Sequence, residues 1–211
     1  MIRRSLPAIA FLVPLVLGGC MTGPGSGART ALFDGKSLDG WNKTGGSNWR
    51  LEDGSAVADQ GNKSPSYLVS KDSYGDFELK VEFWASADVN SGVFIRCADA
   101  AKVGAATCYE VQIADSRTDG TGTGAITDLV KVTPPLKTAG QWNTFDITAR
   151  GSQLSVLLNG APVASGTSDK FARGPIGLQH IVGVVKFRRV EIRPLGARAE
   201  LVPNPGVSAY R

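Results

Sequence analysis

Residues 77–83 alternate without a break: Phe77, Leu79, Val81 and Phe83 are apolar, and Glu78, Lys80 and Glu82 between them are charged. Successive side chains of a strand point to opposite faces, so the pattern describes a strand with one face buried. Runs at 142–148, 153–158 and 161–165 follow, with turns at Arg150-Gly151-Ser152 and Asn159-Gly160. Asn-Gly supplies the left-handed pair that a two-residue hairpin needs. Residues 92–96 and 109–113 form another pair, 183–194 a long last strand, and 49–52 and 56–59 flank Asp53-Gly54. No segment carries convincing helical periodicity. Many short strands, punctuated by turns in a chain with 26 glycines, predict an all-β sandwich or barrel in a single domain.

The N-terminus reads separately. Met1-Ile2-Arg3-Arg4 is a basic head, residues 6–17 are largely apolar, and Leu17-Gly18-Gly19-Cys20 follows. A basic head, an apolar run and small residues make a signal-peptide pattern. The run is shorter than the ~20 apolar residues of a spanning helix. Leu-Gly-Gly-Cys resembles the bacterial lipobox, which implies acylation of Cys20; a plain secretory signal is the alternative. Met21 stands where an inner-membrane retention signal has Asp, so the expected location is the outer membrane, facing the periplasm. The expected organisation is a signal at 1–19, a Gly/Ser/Pro-rich tether at 20–30, one domain at 31–195 and a loose tail at 196–211.

The 23 basic and 19 acidic residues come closer to balance once Arg3 and Arg4 leave with the signal. With no basic cluster interleaved with aromatics, nucleic acid is not an expected partner. Cys97 and Cys108 flank a loop between two strand-like runs, in a compartment that permits disulfides. A bridge between them is expected, two buried thiols being the alternative. The sequence has no Gly-x-Ser-x-Gly elbow and no phosphate-binding Gly-Lys-Ser/Thr loop. One histidine and two remaining cysteines cannot build an ordinary His/Cys zinc site.

An ordered series of blocks carries a family resemblance. Leu32-Phe33-Asp34-Gly35-Lys36-Ser37-Leu38-Asp39-Gly40-Trp41 opens it. Asp76-Phe77-Glu78-Leu79, Asn90-Ser91-Gly92-Val93-Phe94-Ile95-Arg96 and Tyr109-Glu110-Val111-Gln112-Ile113 continue it. Gly124-Ala125-Ile126, Gln141-Trp142-Asn143 and Gly174-Pro175-Ile176-Gly177-Leu178-Gln179 close it. The series resembles the 3-keto-disaccharide hydrolase domain over about residues 31–195. The resemblance implies a concanavalin A-like jelly roll of two antiparallel sheets, acting on glycosides already oxidised to a ketone at carbon 3. The chain departs from the family's pattern at Thr127, at His180-Ile181-Val182 and at Arg189.

Strand alternation then selects a candidate site. Val111 and Ile113 face the core, which turns Glu110 and Gln112 outward; Val93 and Ile95 do the same for Phe94 and Arg96. One face of the hairpin would thus carry Arg96, Glu110, Gln112 and Phe94, a plausible sugar-binding set if that face is the concave one. A solvated face with an Arg–Glu cross-strand pair is the bland alternative. Glu110 is the first candidate base and His180, the sole histidine, the second. Gln179 precedes His180 in a family block and joins the substrate-binding candidates. Asp115 and Asp128, which flank a Gly/Thr-rich loop, are also counted among the substrate-binding candidates, turn chemistry being the bland alternative; a divalent cation is a possible cofactor there. Trp41, Trp49 and Trp84 could stack on sugar, at least two of them being better suited to the core.

Jelly-roll glucanases carry Glu-x-Asp-x-Glu on one strand, whereas this chain has Glu110-x-Gln112-x-Ala114, so paired-carboxylate hydrolysis is not expected. The expected activity is elimination from a 3-keto-glycoside followed by hydration. The alternative is a non-catalytic envelope module that binds glycan or protein.

Overall fold

The computed structural model describes residues 27–195. The signal segment, Cys20, most of the tether and the tail at 196–211 lie outside the described residues. Thirteen strands follow one another: β1 (Thr30–Phe33), β2 (Trp41–Thr44), β3 (Arg50–Glu52), β4 (Ser55–Ala58), β5 (Ser66–Ser70), β6 (Phe77–Ala85), β7 (Ser91–Ile95), β8 (Tyr109–Ile113), β9 (Trp142–Arg150), β10 (Gln153–Leu158), β11 (Ala161–Thr167), β12 (Gly177–His180) and β13 (Val185–Pro194). No helix occurs among the described residues. Arg29 already belongs to the domain, since it donates to Glu78 Oε2 at 3.1 Å.

The strands form two antiparallel sheets, a jelly-roll sandwich. The larger has eight strands in the order β11-β10-β9-β6-β13-β4-β3, with β1 pairing on β13. The smaller has five, in the order β2-β5-β12-β7-β8. The alternation at 77–83 does what it predicts: Phe77, Leu79, Val81 and Phe83 are fully buried between the sheets. Asn159-Gly160 and Arg150-Gly151-Ser152 turn the chain between β9, β10 and β11, with Asn159 and both glycines at positive φ. Trp41 and Trp49 pack in the core, while Trp84 lies opposite Trp142 on the outside of the large sheet.

Part of the outer face of the small sheet is covered as well. Tyr67, Val69, Phe94, Cys97 and Cys108 form a second apolar cluster there, and Val103 packs onto it. Cys97 and Cys108 are bridged, eleven residues apart. A cross-link of that span contributes about 2–3 kcal/mol by restricting the unfolded chain. It holds the 98–107 loop against the sheet. A Cβ on Gly177 would meet Val103 Cγ1 at 3.2 Å, and one on Gly104 would come 4.0 Å from the Tyr67 hydroxyl.

Candidate functional site

Gly92 in β7 is the centre of the candidate site. Register places Gln112 of β8 opposite it on one side. On the other side β12 pairs Gly177 with Phe94 and Leu178 with Val93, and this register carried onward brings Gln179 opposite Gly92. Along β7, Asn90 and Phe94 lie two residues either way, on the same outer face. Glu110 pairs with Phe94, and Tyr67 of β5 lies beyond Gln179. The sheet therefore gathers Asn90, Gln179, Gln112, Phe94, Glu110 and Tyr67 around one glycine.

That glycine is required by close approach. A Cβ at position 92 would stand 2.8 Å from Glu110 Oε1, because the carboxylate lies over it. Gln112 Nε2 donates to the same oxygen at 3.3 Å, and Gln112 Oε1 accepts from the Ile113 amide at 3.0 Å. Thr127 Oγ1 donates to Glu110 Oε2 at 3.0 Å. Thr127 is brought there by the segment 122–130, which runs along β8: the Gln112 amide donates to Ala125 O, and the Thr127 amide to Glu110 O.

Glu110 is 7 % exposed. Burial pushes its carboxyl above the ordinary glutamate value; the Thr127 hydroxyl and the Arg117 charge pull back, and Asp128 adds to the rise. Tyr67 is also pushed up by burial, with Glu110 contributing and the hydrogen bond from Gln179 opposing. Gln179 Nε2 donates to the Tyr67 oxygen at 3.2 Å. The result is a raised carboxyl and, on the same face, a raised phenol that keeps its proton.

Gly92→Ala tests the arrangement. The clash falls on the mobile end of Glu110, although the Val111 carbonyl at 3.2 Å is also tight. Overpacking of this kind costs about 1–3 kcal/mol. Displacing a reacting group by about 1 Å can cost on the order of 100-fold in rate. The variant should therefore fold, by circular dichroism and melting, yet lose about 100-fold or more of any activity that depends on Glu110.

Of the residues selected from sequence, Glu110, Gln112, Phe94 and Gln179 share this face. Arg96 does not. It follows β7 in a left-handed conformation, φ 51°, which turns its side chain off the alternation. Its guanidinium reaches Gly75 O at 2.8 Å, Gly151 O at 2.7 Å and Asp76 Oδ1 at 2.8 Å, and it is 1 % exposed. Arg96 thus ties the small sheet to the turns of the large one, and the expected Arg–Glu pairing is corrected: the residue opposite Glu110 is Phe94.

His180 is also displaced from the expected site. It shares the core side of β12 with Leu178, its ring 6.3 Å from that of Trp49. Nε2 donates to Gly183 O at 2.9 Å, and Nδ1 shares a 2.7 Å hydrogen bond with Ser47 Oγ. Both nitrogens are engaged on the far side of the sheet from Glu110, so it cannot serve that face as a base.

Asp115 is a brace within the loop. Burial pushes its pKa up, but hydrogen bonds from Thr123, from Thr138 and from the Ala139 amide outweigh this and hold it below the ordinary value. Asp128 is exposed at φ 61°, in the tight turn where Ile126 bridges Val130. Among the described residues no three His, Cys, Asp or Glu gather as a metal site would require. Arg189 lies on the large sheet, ion-paired with Glu191 at 3.3 Å.

Sequence reasoning missed Asn90, Gly92, Tyr67 and Thr127 as site residues. Asn90 was within reach, because the alternation that turned Phe94 outward extends to it. Tyr67 was not, because β5 is buried on both faces and shows no period.

A cavity of about 440 Å³ lies between Leu32, Tyr74 and Ile192, remote from Glu110 in the fold. One of about 350 Å³ borders the site, lined by Arg117, Thr127, Asp128 and Lys131.

The sequence profile of the 3-keto-alpha-glucoside-1,2-lyase-like domain matches residues 28–193, and the protein belongs to that family. Two structures from Parabacteroides distasonis, both classed with glycosyl hydrolases, are similar. One shares 27% identity, a TM-score of 0.68, 80% of this chain and 100% of its own. The other shares 22% identity, a TM-score of 0.67, 80% of this chain and 94% of its own. A carbohydrate-binding module from Bacillus subtilis has the same fold at 16% identity, with a TM-score of 0.58 over 73% of this chain and 95% of its own. Among curated proteins no sequence matches this chain.

Proposed function

We propose that the protein cleaves 3-keto-glycosides by elimination and hydration, with Glu110 as the base. The observation that carries this reading is the buried Glu110 carboxylate held over Gly92 and hydrogen-bonded by Thr127, its pKa raised by burial with Asp128 adding to the rise. Family membership and the glycosyl hydrolase neighbours support a carbohydrate-related role. A ketone at carbon 3 acidifies the proton on carbon 2, so one base suffices to begin. Glu110 takes that proton and an enolate forms at carbons 2 and 3. Tyr67, whose proton has no acceptor among the described residues, is placed to donate towards developing negative charge. The bond from carbon 1 to the aglycone oxygen breaks, and the aglycone leaves with a proton. Water then adds at carbon 1 and carbon 2 regains a proton from solvent, giving the free 3-keto sugar.

The test is turnover in heavy water. A 3-keto-disaccharide should give a product with deuterium at carbon 2, and the unoxidised disaccharide should be inert. Equal cleavage of the unoxidised sugar would end the elimination mechanism. One observation favours a second reading, a non-catalytic glycan-binding module: with Arg96 and His180 turned away, the face holds few ionisable groups. Tight binding of the 3-keto sugar without turnover would select it.

Export and lipid anchoring through Cys20 belong to the same proposal, supported by Leu17-Gly18-Gly19-Cys20. Cys20→Ala should leave the protein unprocessed or released into the soluble fraction. Unchanged fractionation of that variant would remove the anchor from the account.

A further inference from the structure

Three buried side-chain atoms among the described residues have no hydrogen-bond partner: Asn90 Oδ1, Gln179 Oε1 and Arg193 Nε. Arg193 lies on the large sheet, where its guanidinium is paired with Glu78. The other two lie on the outer face of the small sheet: Gln179 on β12, across from Gly92, and Asn90 two residues before Gly92, just ahead of β7. Leaving a polar atom buried without a partner is costly, so two such atoms beside one reactive carboxylate call for an account. Turning either amide over exchanges the open atom without closing it. Gln179 is 4 % exposed and its other amide atom is fixed on Tyr67.

We infer that Asn90 and Gln179 are the specificity residues of this site, each accepting a hydrogen bond from a different hydroxyl of a neutral sugar. The inference rests on the proposed carbohydrate reading and deepens it. Glu110 lies over Gly92, the residue that both amides neighbour, so a sugar reaches them as that side chain turns aside. The same motion brings the carboxylate alongside the ring instead of beneath it. The charge around the face sets the ligand's class. Glu110 and Asp128 are acidic, Arg117 is the cation that Glu110 feels, and Arg96 is committed elsewhere. A sugar carrying its own carboxylate would bring a third negative charge to Glu110 and Asp128, against the two cations Arg117 and Lys131 at the edge of the face. Hydroxyls, which can donate, suit two open carbonyl oxygens; a carboxylate, which only accepts, does not.

The expected consequence is a trade between stability and binding. Asn90→Leu and Gln179→Met keep the volume and remove the open oxygen. Asn90→Leu should melt no lower than the parent, and both should bind sugar more weakly. A side chain kept for folding alone would not behave so.

The experiment is calorimetry on the full chain in a Glu110→Gln background, which keeps the sugar intact. The probes are methyl 3-keto-α-glucoside, its 2-, 4- and 6-deoxy analogues, its carbon 6 uronate, and the unoxidised parent series. Deleting one hydroxyl should weaken binding about 10- to 100-fold, the range for a buried acceptor left without its donor. The same deletion should cost less than about threefold in the variant lacking its acceptor, with a different hydroxyl matched to Asn90 and to Gln179. The uronate should bind at least about tenfold more weakly than the neutral sugar. If the unoxidised series alone shows this pattern, the 3-keto reading fails and the specificity assignment stands. Deoxy penalties that are equal in parent and variants, absent in the parent, or outweighed by tight uronate binding would overturn the assignment, as would binding of none of these sugars.

Discussion

Glu110→Gln should lower turnover of a 3-keto-glycoside by about 100- to 10,000-fold, the usual cost of losing a positioned base. Binding of the same sugar should survive. The substitution keeps the shape of the side chain and its contacts: a carboxamide oxygen can still accept from Gln112 Nε2, and its nitrogen can donate to Thr127 Oγ1. Only the basicity goes, so kcat should fall with little change in the dissociation constant. A loss of binding as large as the loss of rate would make Glu110 a ligand for sugar and remove it as the base.

The acid side of the rate profile gives the same residue a second signature. A base works when ionised, so activity falls as pH drops through its pKa. Burial raises Glu110 above the ordinary value of 4.5, and the fall should therefore lie above that value. The Thr127 hydroxyl lowers the pKa, so Thr127→Val should move the fall to still higher pH. Linkage fixes the sign for stability. A group whose pKa is raised by folding contributes stability that is present below its unfolded pKa and lost as pH rises through the folded one. Glu110→Gln removes that loss, so the variant should melt higher than the parent at neutral pH and the same in acid.

The parts of the fold that announce themselves in sequence are those with one wet face. β6 and β9 alternate because the large sheet has water on its outside, and their bounds follow. β5 and β12 are buried at every residue, with Val103 and Gly104 of the 98–107 loop lying over Gly177 and Tyr67, and burial on both faces leaves no period to read. The site follows the same logic. Glu110, Gln112 and Phe94 were legible because their core-facing neighbours Val93, Val111 and Ile113 fix which way they point. Arg96 and His180 were misplaced for two separate reasons. A positive φ after β7 breaks the alternation at Arg96, and nothing in a side chain's identity shows a backbone inversion at an Arg. His180 ends a strand whose register depends on Leu178 and on the bulge that follows, where the Ile181 amide donates to Asn90 O and the Asn90 amide to Val182 O.

Arg96→Met should cost about 3–5 kcal/mol of stability, the range for removing one partner of a buried ion pair. For a domain of this size that is a fall of roughly 6–20 °C in Tm. The reason lies in what the guanidinium satisfies. Gly75 O, Gly151 O and, at 3.5 Å, Phe171 O accept from it, and Asp76 accepts from it while also holding the Gly151 amide at 3.0 Å. Methionine fills the volume of the stem and leaves those partly buried carbonyls without their donor. Asp76 is 39 % exposed at its side chain and regains some hydration, which sets the expectation towards the lower end. Arg96→Lys should recover part of the loss, because an ammonium keeps the charge but cannot span acceptors arranged around a planar fork. Each molecule that remains folded should bind and turn over sugar as the parent does, since the guanidinium does not reach the face of Glu110. A variant that melts within about 2 °C of the parent while losing turnover would return Arg96 to the site and overturn its role as the tie between the sheets.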